Sequence, residues 1–206
     1  FELNRNDDRY KQYDVRYTLV DQQGNQVLLG NSTLEEIKRN NNYQFTFEIK
    51  NAKRWNPHDA YLYRLNVDIL HNGKVIDSNT TTFGVREIAW ETETGFWING
   101  KNVKIQGVAE HYEGGPVGGA WTKPLLRWKL NLLKEMGVNA IRTGHNPYPP
   151  MFYELCDELG LMVMDEIFDS SLDINSTDDL TKIMFDLSKD VNLFVISHKT
   201  DILPDK

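Results

Sequence analysis

GVAEHYEGGPVGG (107–119) opens the stretch that decides the fold, which continues through NAIRTGHNPYPP (139–150) to GLMVMDE (160–166). An apolar pattern with helical spacing fills each interval, so hydrophobic periodicity predicts the order strand, helix, strand, helix, strand. Such alternation, with right-handed crossovers, suits a parallel sheet that is either open and doubly wound or part of a barrel. Three strands cannot close a barrel, so we expect either part of a barrel or an open sheet.

Polar and ionisable residues collect where each of these strands should end. They are Glu110 and His111, Arg142 and His145, and Asp165 and Glu166. In a parallel α/β barrel the carboxyl ends of the strands form one rim, and active sites are built there. The pattern therefore predicts that these side chains lie close to one functional site.

Capping residues mark the helix boundaries in the same stretch. Thr122 can cap the first helix, and Gly137 ends it. Pro149-Pro150 opens the second helix, and Gly160 stops it. Cys156 falls on the apolar stripe of that second helix, which predicts a core residue rather than a nucleophile.

The glycine-rich loop GGPVGG (114–119) invites comparison with phosphate-binding loops. It has neither the GxGxxG spacing of a dinucleotide fold nor the Lys-Ser/Thr of a P-loop. We therefore reject a nucleotide-binding interpretation for this loop, and no cofactor is predicted for the chain.

Composition excludes several broad classes for this chain of 206 residues. The net charge is −7 and Lys and Arg form no run, so nucleic-acid binding through a basic face is not expected. No apolar run approaches the roughly 20 residues that a membrane helix needs, so no membrane partner is predicted. The chain begins at Phe1, and we interpret it as cut from a longer protein, with compartment and oligomeric state left open.

Short strand candidates, separated by turn signals, follow one another in the first 86 residues. The candidates are Tyr13–Val20, Val27–Leu34, Tyr43–Lys50, Tyr61–Leu70, Val75–Ile76 and 80–87. Asn72-Gly73 and, further on, Asn99-Gly100 are typical of tight hairpin turns. No helical stretch intervenes, so the spacing predicts an antiparallel β-sandwich of the immunoglobulin type whose N-terminal strand is missing.

Five segments of the chain carry a family resemblance. They are NPHDAYLYRLNVDI (56–69), FGVRE (83–87), GFWINGKNVKIQGVAEHYEGGPVGGA (95–120), LLKEMGVNAIRTGHNP (132–147) and LCDELGLMVMDE (155–166). In order and without large gaps, they resemble glycoside hydrolase family 2, which holds β-galactosidases, β-glucuronidases and β-mannosidases. The resemblance covers roughly residues 10–166. It implies an α+β multidomain chain, with an immunoglobulin-like antiparallel β-sandwich (1–87) followed by the first strands and helices of an incomplete (β/α)8 TIM barrel (88–166).

The resemblance also implies which residues bind the substrate, a carbohydrate with a terminal β-glycosidic bond. His111 matches a family histidine that contacts the sugar in the −1 subsite. Arg142 and His145 match the family's R-x-S-H pair, in which the arginine supports the surroundings of the nucleophile and the histidine hydrogen-bonds sugar hydroxyls. Asn146 follows as in the HNP variant of that motif, and Gly144 stands where the family usually has serine. The residues expected to shape the site are Glu110, Asp165 and Glu166, and no metal site is predicted.

The two carboxylates of a retaining glycosidase are missing from the sequence. Such enzymes need an acid/base and a nucleophile about 5–5.5 Å apart. In the family, the acid/base is the glutamate of an Asn-Glu pair that closes the fourth strand, and this chain contains no Asn-Glu pair. Asp165 and Glu166 are neighbours on one strand and point to opposite faces, so they cannot form the catalytic pair. We therefore expect that the chain derives from a retaining β-glycosidase of the β-galactosidase type and has no turnover alone.

The C-terminal tail carries a second resemblance. LMVMDEIFDSSLD (161–173) and NLFVISHK (192–199) look like the end of an ABC-type ATPase of the SMC and recombination-exonuclease kind. The residues that this resemblance assigns to ATPase chemistry are Asp165, Glu166, Asp173 and His198. No P-loop and no LSGG-type signature occurs, so the chain alone is not expected to hydrolyse ATP. The tail (167–206) is thus interpreted as ATPase-like or as a divergent α/β segment, with a helix over 177–189 and a strand over 192–197.

Three functional interpretations follow from the sequence. The first is a piece of a β-glycosidase. The second is a piece of an ABC-type ATPase subunit of a DNA-processing nuclease, which ATP-dependent activity on adding the missing nucleotide-binding half would favour. The third is a non-catalytic carbohydrate-binding module, which sugar binding abolished by His111→Ala and Arg142→Ala would favour.

Overall fold

A computed structural model describes residues 12–39 and 42–166 of the chain. The chain divides into two compact units between Lys104 and Ile105. The predicted domain limits after residues 87 and 166 stay predictions, and the structure assigns residues 88–104 to the first unit. The predicted helix and strand of the tail lie outside the described residues. Within the described part, no helix combines the length and the apolarity needed to cross a membrane.

The first unit is built on a four-stranded antiparallel sheet with the strand order β2-β1-β5-β6. In chain order its elements are β1 (Tyr13–Val20), β2 (Gln26–Thr33), the helical turn α1 (Leu34–Ile37), β3 (Lys38–Arg39), β4 (Asn42–Tyr43), β5 (Tyr63–His71), β6 (Lys74–Phe83), β7 (Ile88–Glu91), β8 (Gly95–Ile98) and β9 (Lys101–Asn102). Val15 on β1 lies opposite Ser32 on β2 and Ile69 on β5. The predicted antiparallel pairing is confirmed, and β1 has the predicted bounds.

One face of this sheet carries the core of the first unit. Val15 and Ile69 pack with Leu34 and Ile37 of α1. A second cluster gathers Leu19, Tyr61 and Tyr63. Burying a large apolar side chain of this kind stabilises the fold by about 1.5–3 kcal/mol. The alternation of apolar and polar residues that predicted these strands therefore corresponds to a sheet with one buried face.

A helical turn, α1, lies where the sequence analysis expected no helix. The Glu36 N–H donates to the Thr33 hydroxyl over 3.2 Å, and the Thr33 N–H donates to the Glu36 carboxylate over 2.8 Å. This reciprocal pair is a capping box, which begins a helix at Leu34. The predicted strand Val27–Leu34 therefore ends at Thr33. A helix of four residues is too short to display a helical apolar period, and periodicity could not detect it.

The strand predicted over Tyr43–Lys50 is wrong in its extent, because the structure assigns only Asn42–Tyr43 to β4. The burial still alternates, with Phe45 and Phe47 half-buried between exposed neighbours. The Phe45 ring stacks on Tyr17 with 4.4 Å between ring centroids. Among the described residues, 44–49 belong to no strand. The Gln44 N–H donates to the Ile37 carbonyl oxygen over 2.8 Å, and the segment is otherwise held by contacts such as the one between Phe45 and Tyr17.

Two Asn-Gly turns form hairpins as predicted. Asn72 and Gly73 have φ angles of 51° and 74°, and Asn99 and Gly100 have φ angles of 53° and 75°. Two successive left-handed residues define the turn that best matches the twist of paired strands. The first turn joins β5 to β6, a single strand where two shorter ones were predicted. The second joins β8 to β9, which form a three-stranded antiparallel sheet with β7.

The second unit is a parallel sheet with the strand order β10-β11-β12. Its elements are β10 (Gly107–Glu110), α2 (Lys123–Glu135), β11 (Ala140–Thr143), α3 (Pro150–Leu159) and β12 (Met162–Met164). Both strand pairs are parallel, which confirms the predicted alternation of strands and helices.

The helices of the second unit begin and end where the capping residues predicted. The Leu125 N–H donates to the Thr122 hydroxyl over 3.5 Å, and Gly160 ends α3 in the left-handed conformation with φ of 75°. The helices pack on the sheet through a core that includes Leu126, Leu130, Ile141, Phe152, Leu155 and Cys156. Cys156 is 1% exposed, which confirms the predicted core position, and this burial raises the pKa of its thiol to about 12.

Candidate active site

Side-chain alternation along the parallel strands sorts the predicted polar residues onto two faces of the sheet. Val108, Ile141 and Val163 lie in register and pack in the core that the helices cover. Two residues further on, at the end of each strand or just beyond it, a polar residue follows on that same face. These residues, which we call the helix-side row, are Glu110, Thr143 and Asp165. The other face carries what we call the open-face row, formed by His111, Arg142 and Glu166.

Glu166 organises the open-face row. Its carboxylate forms a close ion pair with the Arg142 guanidinium and accepts the His145 backbone N–H over 2.8 Å. The side chain of Glu166 is 11% exposed, whereas those of Arg142 and His145 are 41% and 70% exposed. Burial tends to raise the pKa of Glu166, but the His145 N–H and the Arg142 charge together lower it below its usual value. Glu166 is therefore held as a carboxylate that fixes its two neighbours.

The two candidate histidines lie side by side at the ends of consecutive strands. The ring centroids of His111 and His145 are 5.1 Å apart, and the rings are tilted by 57°. The strand-end pattern of the sequence predicts that both lie near one site, and the structure brings them together. His145 reaches this position in a left-handed conformation, with φ of 74°, that few residues other than glycine adopt.

Gly144 allows the chain to pass close to the end of β10. Its N–H donates to the Glu110 carbonyl oxygen over 2.6 Å. A Cβ atom at position 144 would lie 2.7 Å from that oxygen and 3.3 Å from His111 Nδ1. The family that the sequence resembles usually has serine at this position. Here the backbone passes so close to the end of β10 that it leaves no space for a side chain, and glycine is the residue that fits.

The helix-side row is held by side chains of the helices and of its own strands. The Glu110 carboxylate forms a close ion pair with Lys129 of α2. Asp165 Oδ1 accepts two hydroxyl groups, those of Thr143 and of Tyr153 on α3, each over 2.7 Å. The carboxylates of the consecutive residues Asp165 and Glu166 thus have separate sets of partners, and Glu110 and Asp165 lie on the face opposite Arg142.

Sequence reasoning missed three residues of this region, namely Thr143, Tyr148 and Tyr153. The Tyr148 hydroxyl donates to the Glu110 carbonyl oxygen over 2.6 Å, and the Tyr148 N–H donates to the Tyr153 hydroxyl over 2.8 Å. Burial raises the pKa of each tyrosine to about 12, so both hydroxyls keep their hydrogens. One signal was present in the sequence: Thr143 is a polar residue on the same strand face as the core residue Ile141.

Of the remaining predicted site residues, the structure describes Asn146 and not Asp173 or His198. Asn146 follows His145 and donates its side-chain amide to the Pro147 carbonyl oxygen over 2.9 Å. Asp173 and His198, assigned to ATPase chemistry at the level of sequence, lie outside the described residues. Within residues 12–39 and 42–166, no three histidine, cysteine or carboxylate side chains are grouped so that they could hold a metal ion.

Comparison with protein families gives this arrangement a context. Residues 1–86 match the family model described as "Glycosyl hydrolases family 2". Residues 91–191 match the model described as "Glycosyl hydrolases family 2, TIM barrel domain". The chain belongs to glycosyl hydrolase family 2. The parallel strands are thus those of a barrel, and the alternative of an open doubly wound sheet is set aside.

Individual relatives agree with the family assignment. The chain is 66% identical over 122 residues to a putative β-glucuronidase of Formosa agariphila, an alignment that covers 59% of the chain and 12% of the relative. It is 39% identical over 121 residues to a β-galactosidase of Bacteroides ovatus, covering 59% of the chain and 14% of the relative. The crystal structure of a β-glycosidase from Bacteroides vulgatus superposes with a TM-score of 0.66 at 32% identity, covering 76% of the chain and 20% of that structure. The chain therefore spans a small part of these relatives.

The ATPase resemblance of the tail finds no support in these comparisons. The TIM-barrel match continues through residue 191, well into the tail that the sequence places at 167–206. Most of the tail is therefore aligned with the same glycosidase family as the residues before it. The alternative of a divergent hydrolase segment is the one that agrees with this match.

Proposed function

We propose that this chain supplies part of the sugar-binding site of a retaining β-glycosidase that hydrolyses terminal β-glycosides. The observation that carries the proposal is the placement of His111 and His145 side by side at strand ends, with Arg142 and Glu166 on the same face. Active sites of parallel barrels are built at the carboxyl ends of the strands. The family assignment and the names of the relatives support the reaction class.

The proposed roles follow from the hydrogen-bonding capacity of each side chain. An uncharged imidazole offers one donor and one acceptor, which suits a sugar hydroxyl that both donates and accepts. His111 and His145 would each bind a hydroxyl of the terminal sugar. Arg142 keeps further N–H donors beside its ion pair with Glu166, and Asn146 extends the polar surface of the same turn. Glu166 would act by orienting Arg142 and the His145 backbone.

Glu110 and Asp165 take a different part in the proposal. Their carboxylates are engaged on the helix side, by Lys129 and by Thr143 and Tyr153. They would therefore shape the site through the backbone of the strand ends rather than by touching the sugar.

We also retain, as part of the proposal, a sandwich over 1–87 and the start of a barrel over 88–166.

Sugar binding is the direct test. The full 206-residue chain would be titrated with methyl β-D-galactopyranoside and with methyl β-D-glucuronide while NMR follows its backbone amides. We expect binding in the millimolar range, with shifts at 110–111 and 142–146, that weakens about tenfold in His111→Ala and in His145→Ala because each substitution removes a hydrogen-bonding partner. The matched control is His58→Ala, at an exposed histidine of the first unit. Binding of neither sugar, or binding unchanged by both site variants, would contradict the proposal.

Turnover separates binding from catalysis. Retaining hydrolysis needs an acid/base and a nucleophile, and the sequence contains no Asn-Glu pair to supply the first. We therefore expect that the chain alone releases no p-nitrophenol from p-nitrophenyl β-galactoside or β-glucuronide above the level of a His145→Ala control. Clear release above that control would contradict this part of the proposal.

A further inference from the structure

A relay of hydrogen bonds on the helix side connects the three strand ends of the second unit. It begins at the Glu110 carbonyl oxygen, where the Tyr148 hydroxyl donates, and passes through the Tyr148 N–H to the Tyr153 hydroxyl. It continues from Tyr153 to Asp165, which also accepts the hydroxyl of Thr143. The relay therefore runs from the end of β10, through the start of α3, to the ends of β11 and β12.

Thr143 joins this relay to the open-face row. Its hydroxyl oxygen accepts the Glu166 N–H over 3.0 Å while its hydrogen goes to Asp165. The Thr143 side chain is fully buried, so its hydroxyl cannot exchange these partners for water. Asp165 and Glu166 are consecutive residues. Because hydrogen bonds hold both the Asp165 carboxylate and the Glu166 N–H, they also hold the backbone from which the Glu166 side chain projects.

The placement of Glu166 matters for the strained turn at His145. The His145 N–H is held by the Glu166 carboxylate, and this residue stays in the left-handed region with φ of 74°. A left-handed conformation costs free energy for most residues other than glycine, and the contacts around His145 offset that cost. A Glu166 carboxylate that moved away would release both the His145 N–H and the Arg142 guanidinium.

We propose that Thr143 and Tyr153 are positioning residues that hold Glu166 against Arg142 and the His145 N–H. Tyr153 acts through Asp165, and Thr143 acts both through Asp165 and through its bond to the Glu166 N–H. The consequence for sugar binding rests on the proposed function, whereas the effect on the turn does not. A merely structural role predicts a loss of stability spread over the unit. A positioning role predicts a local change at His145, and only when a hydroxyl group is removed.

The experiment measures amide hydrogen exchange at His145 by NMR in the full chain and in four variants. Tyr153→Phe and Thr143→Val each remove one hydroxyl and keep the shape of the side chain. We expect each to speed exchange at the His145 N–H about tenfold, the size typical of one net hydrogen bond. Thr143→Ser keeps the hydroxyl and should restore the wild-type rate. Tyr112→Phe, in the aromatic cluster of the same unit but outside the relay, is the matched control and should leave the rate unchanged.

Two results would overturn the relay. One is an unchanged His145 rate in both Tyr153→Phe and Thr143→Val when circular dichroism shows that both are folded. The other is a rate in Thr143→Ser as fast as in Thr143→Val, because the methyl group rather than the hydroxyl would then matter.

If these variants do not fold, a measurement on the unaltered chain tests the relay. A Tyr153 hydroxyl held in the relay exchanges slowly and splits the Tyr153 ¹³Cζ resonance in mixed H₂O and D₂O, and a single averaged line would overturn the relay.

Sugar titration of the same proteins separates this inference from the proposed function. Weaker sugar binding in Tyr153→Phe, together with faster His145 exchange, supports both. Faster exchange in a chain that binds neither methyl glycoside supports the relay and contradicts the proposed function. Wild-type sugar affinity in Tyr153→Phe despite faster exchange overturns the link between the relay and the site.

Discussion

The two faces of the parallel sheet carry similar polar residues in different surroundings. On the helix side, Glu110 is paired with Lys129, and Thr143 is fully buried with two hydrogen-bond partners. On the open face, the side chains of Arg142 and His145 are 41% and 70% exposed, and only Glu166 is largely covered. The surroundings of a polar residue at a strand end thus depend on the face of the sheet on which its side chain lies.

Substitutions on each face test this difference. If the division is correct, changes on the helix side lower the free energy of unfolding, and changes on the open face lower sugar affinity with little effect on stability. Gly144 and Glu166, which bind the backbone of neighbouring strand ends, should show intermediate effects on stability.

The largest effect is expected from Phe152→Ala on the helix side. Phe152 is 1% exposed and contacts Trp121, Tyr148 and Tyr153 in the core. Removing a fully buried phenyl ring leaves a cavity, and we expect a loss of about 3–5 kcal/mol in the free energy of unfolding by urea. Glu154→Ala, at an exposed ion pair on the same helix, is the control, with an expected loss of 0 to about 1 kcal/mol. Equal losses in the two variants would show that α3 is not packed as described.

The elements of the second unit could be predicted from the sequence, whereas parts of the first unit could not. In the second unit, capping residues and helical apolar spacing agree, as at Thr122 and Gly160, and several signals support each boundary. Between Tyr43 and Lys50, by contrast, alternation was the only signal. It reports that one side of an extended chain is covered, and it carries no information on hydrogen-bonded pairing, which depends on a partner distant in sequence. The turn α1 was detectable only from its capping box at Thr33 and Glu36.

The candidate site was predictable to a similar degree. Strand ends located His111, Arg142 and His145, because the carboxyl ends of parallel strands meet on one rim. The roles of Tyr148 and Tyr153 were not readable, since their hydroxyl partners lie 38 and 12 residues away in the sequence. The division into two faces also required the register, which the sequence alone leaves open by one residue.

Gly144→Ala tests the boundary between the faces. The added Cβ atom would lie 2.7 Å from the Glu110 carbonyl oxygen, and backbone at a strand end cannot easily move. We expect a loss of about 1–3 kcal/mol in the free energy of unfolding by urea, and a similar loss for Gly144→Ser. Gly107→Ala, on the same sheet, is the matched control, because its Cβ atom would meet no atom closer than 3.6 Å. A Gly144→Ala protein as stable as the Gly107→Ala protein would mean that the strand ends are further apart than described.

Glu166→Gln should have a smaller effect that depends on pH. At neutral pH the substitution weakens the interactions with Arg142 and the His145 N–H, and we expect a loss of about 1 kcal/mol, because the arginine is partly exposed. The pKa of Glu166 is lower in the folded chain than its usual value of 4.5, so its stabilisation is fully present above 4.5 and disappears as the pH falls through the folded pKa. Urea unfolding of the two proteins across this range measures their difference, with the exposed-pair variant Glu154→Gln as control. A difference that stays constant well below 4.5 would contradict the role assigned to the Glu166 carboxylate.

His111→Ala should have the smallest effect on stability, and it decides whether the open face is a ligand site. His111 is exposed, and its ring contacts the ring of His145, which is also exposed, so little packing is lost with it. We expect its free energy of unfolding to stay within about 0.5 kcal/mol of the unaltered chain, as for the surface control His58→Ala. Affinity for the methyl β-glycosides should nevertheless fall in His111→Ala and not in His58→Ala. A loss of stability comparable to that of Gly144→Ala would instead make His111 part of the scaffold, because a side chain kept for ligand binding can be removed without disturbing the sheet beneath it.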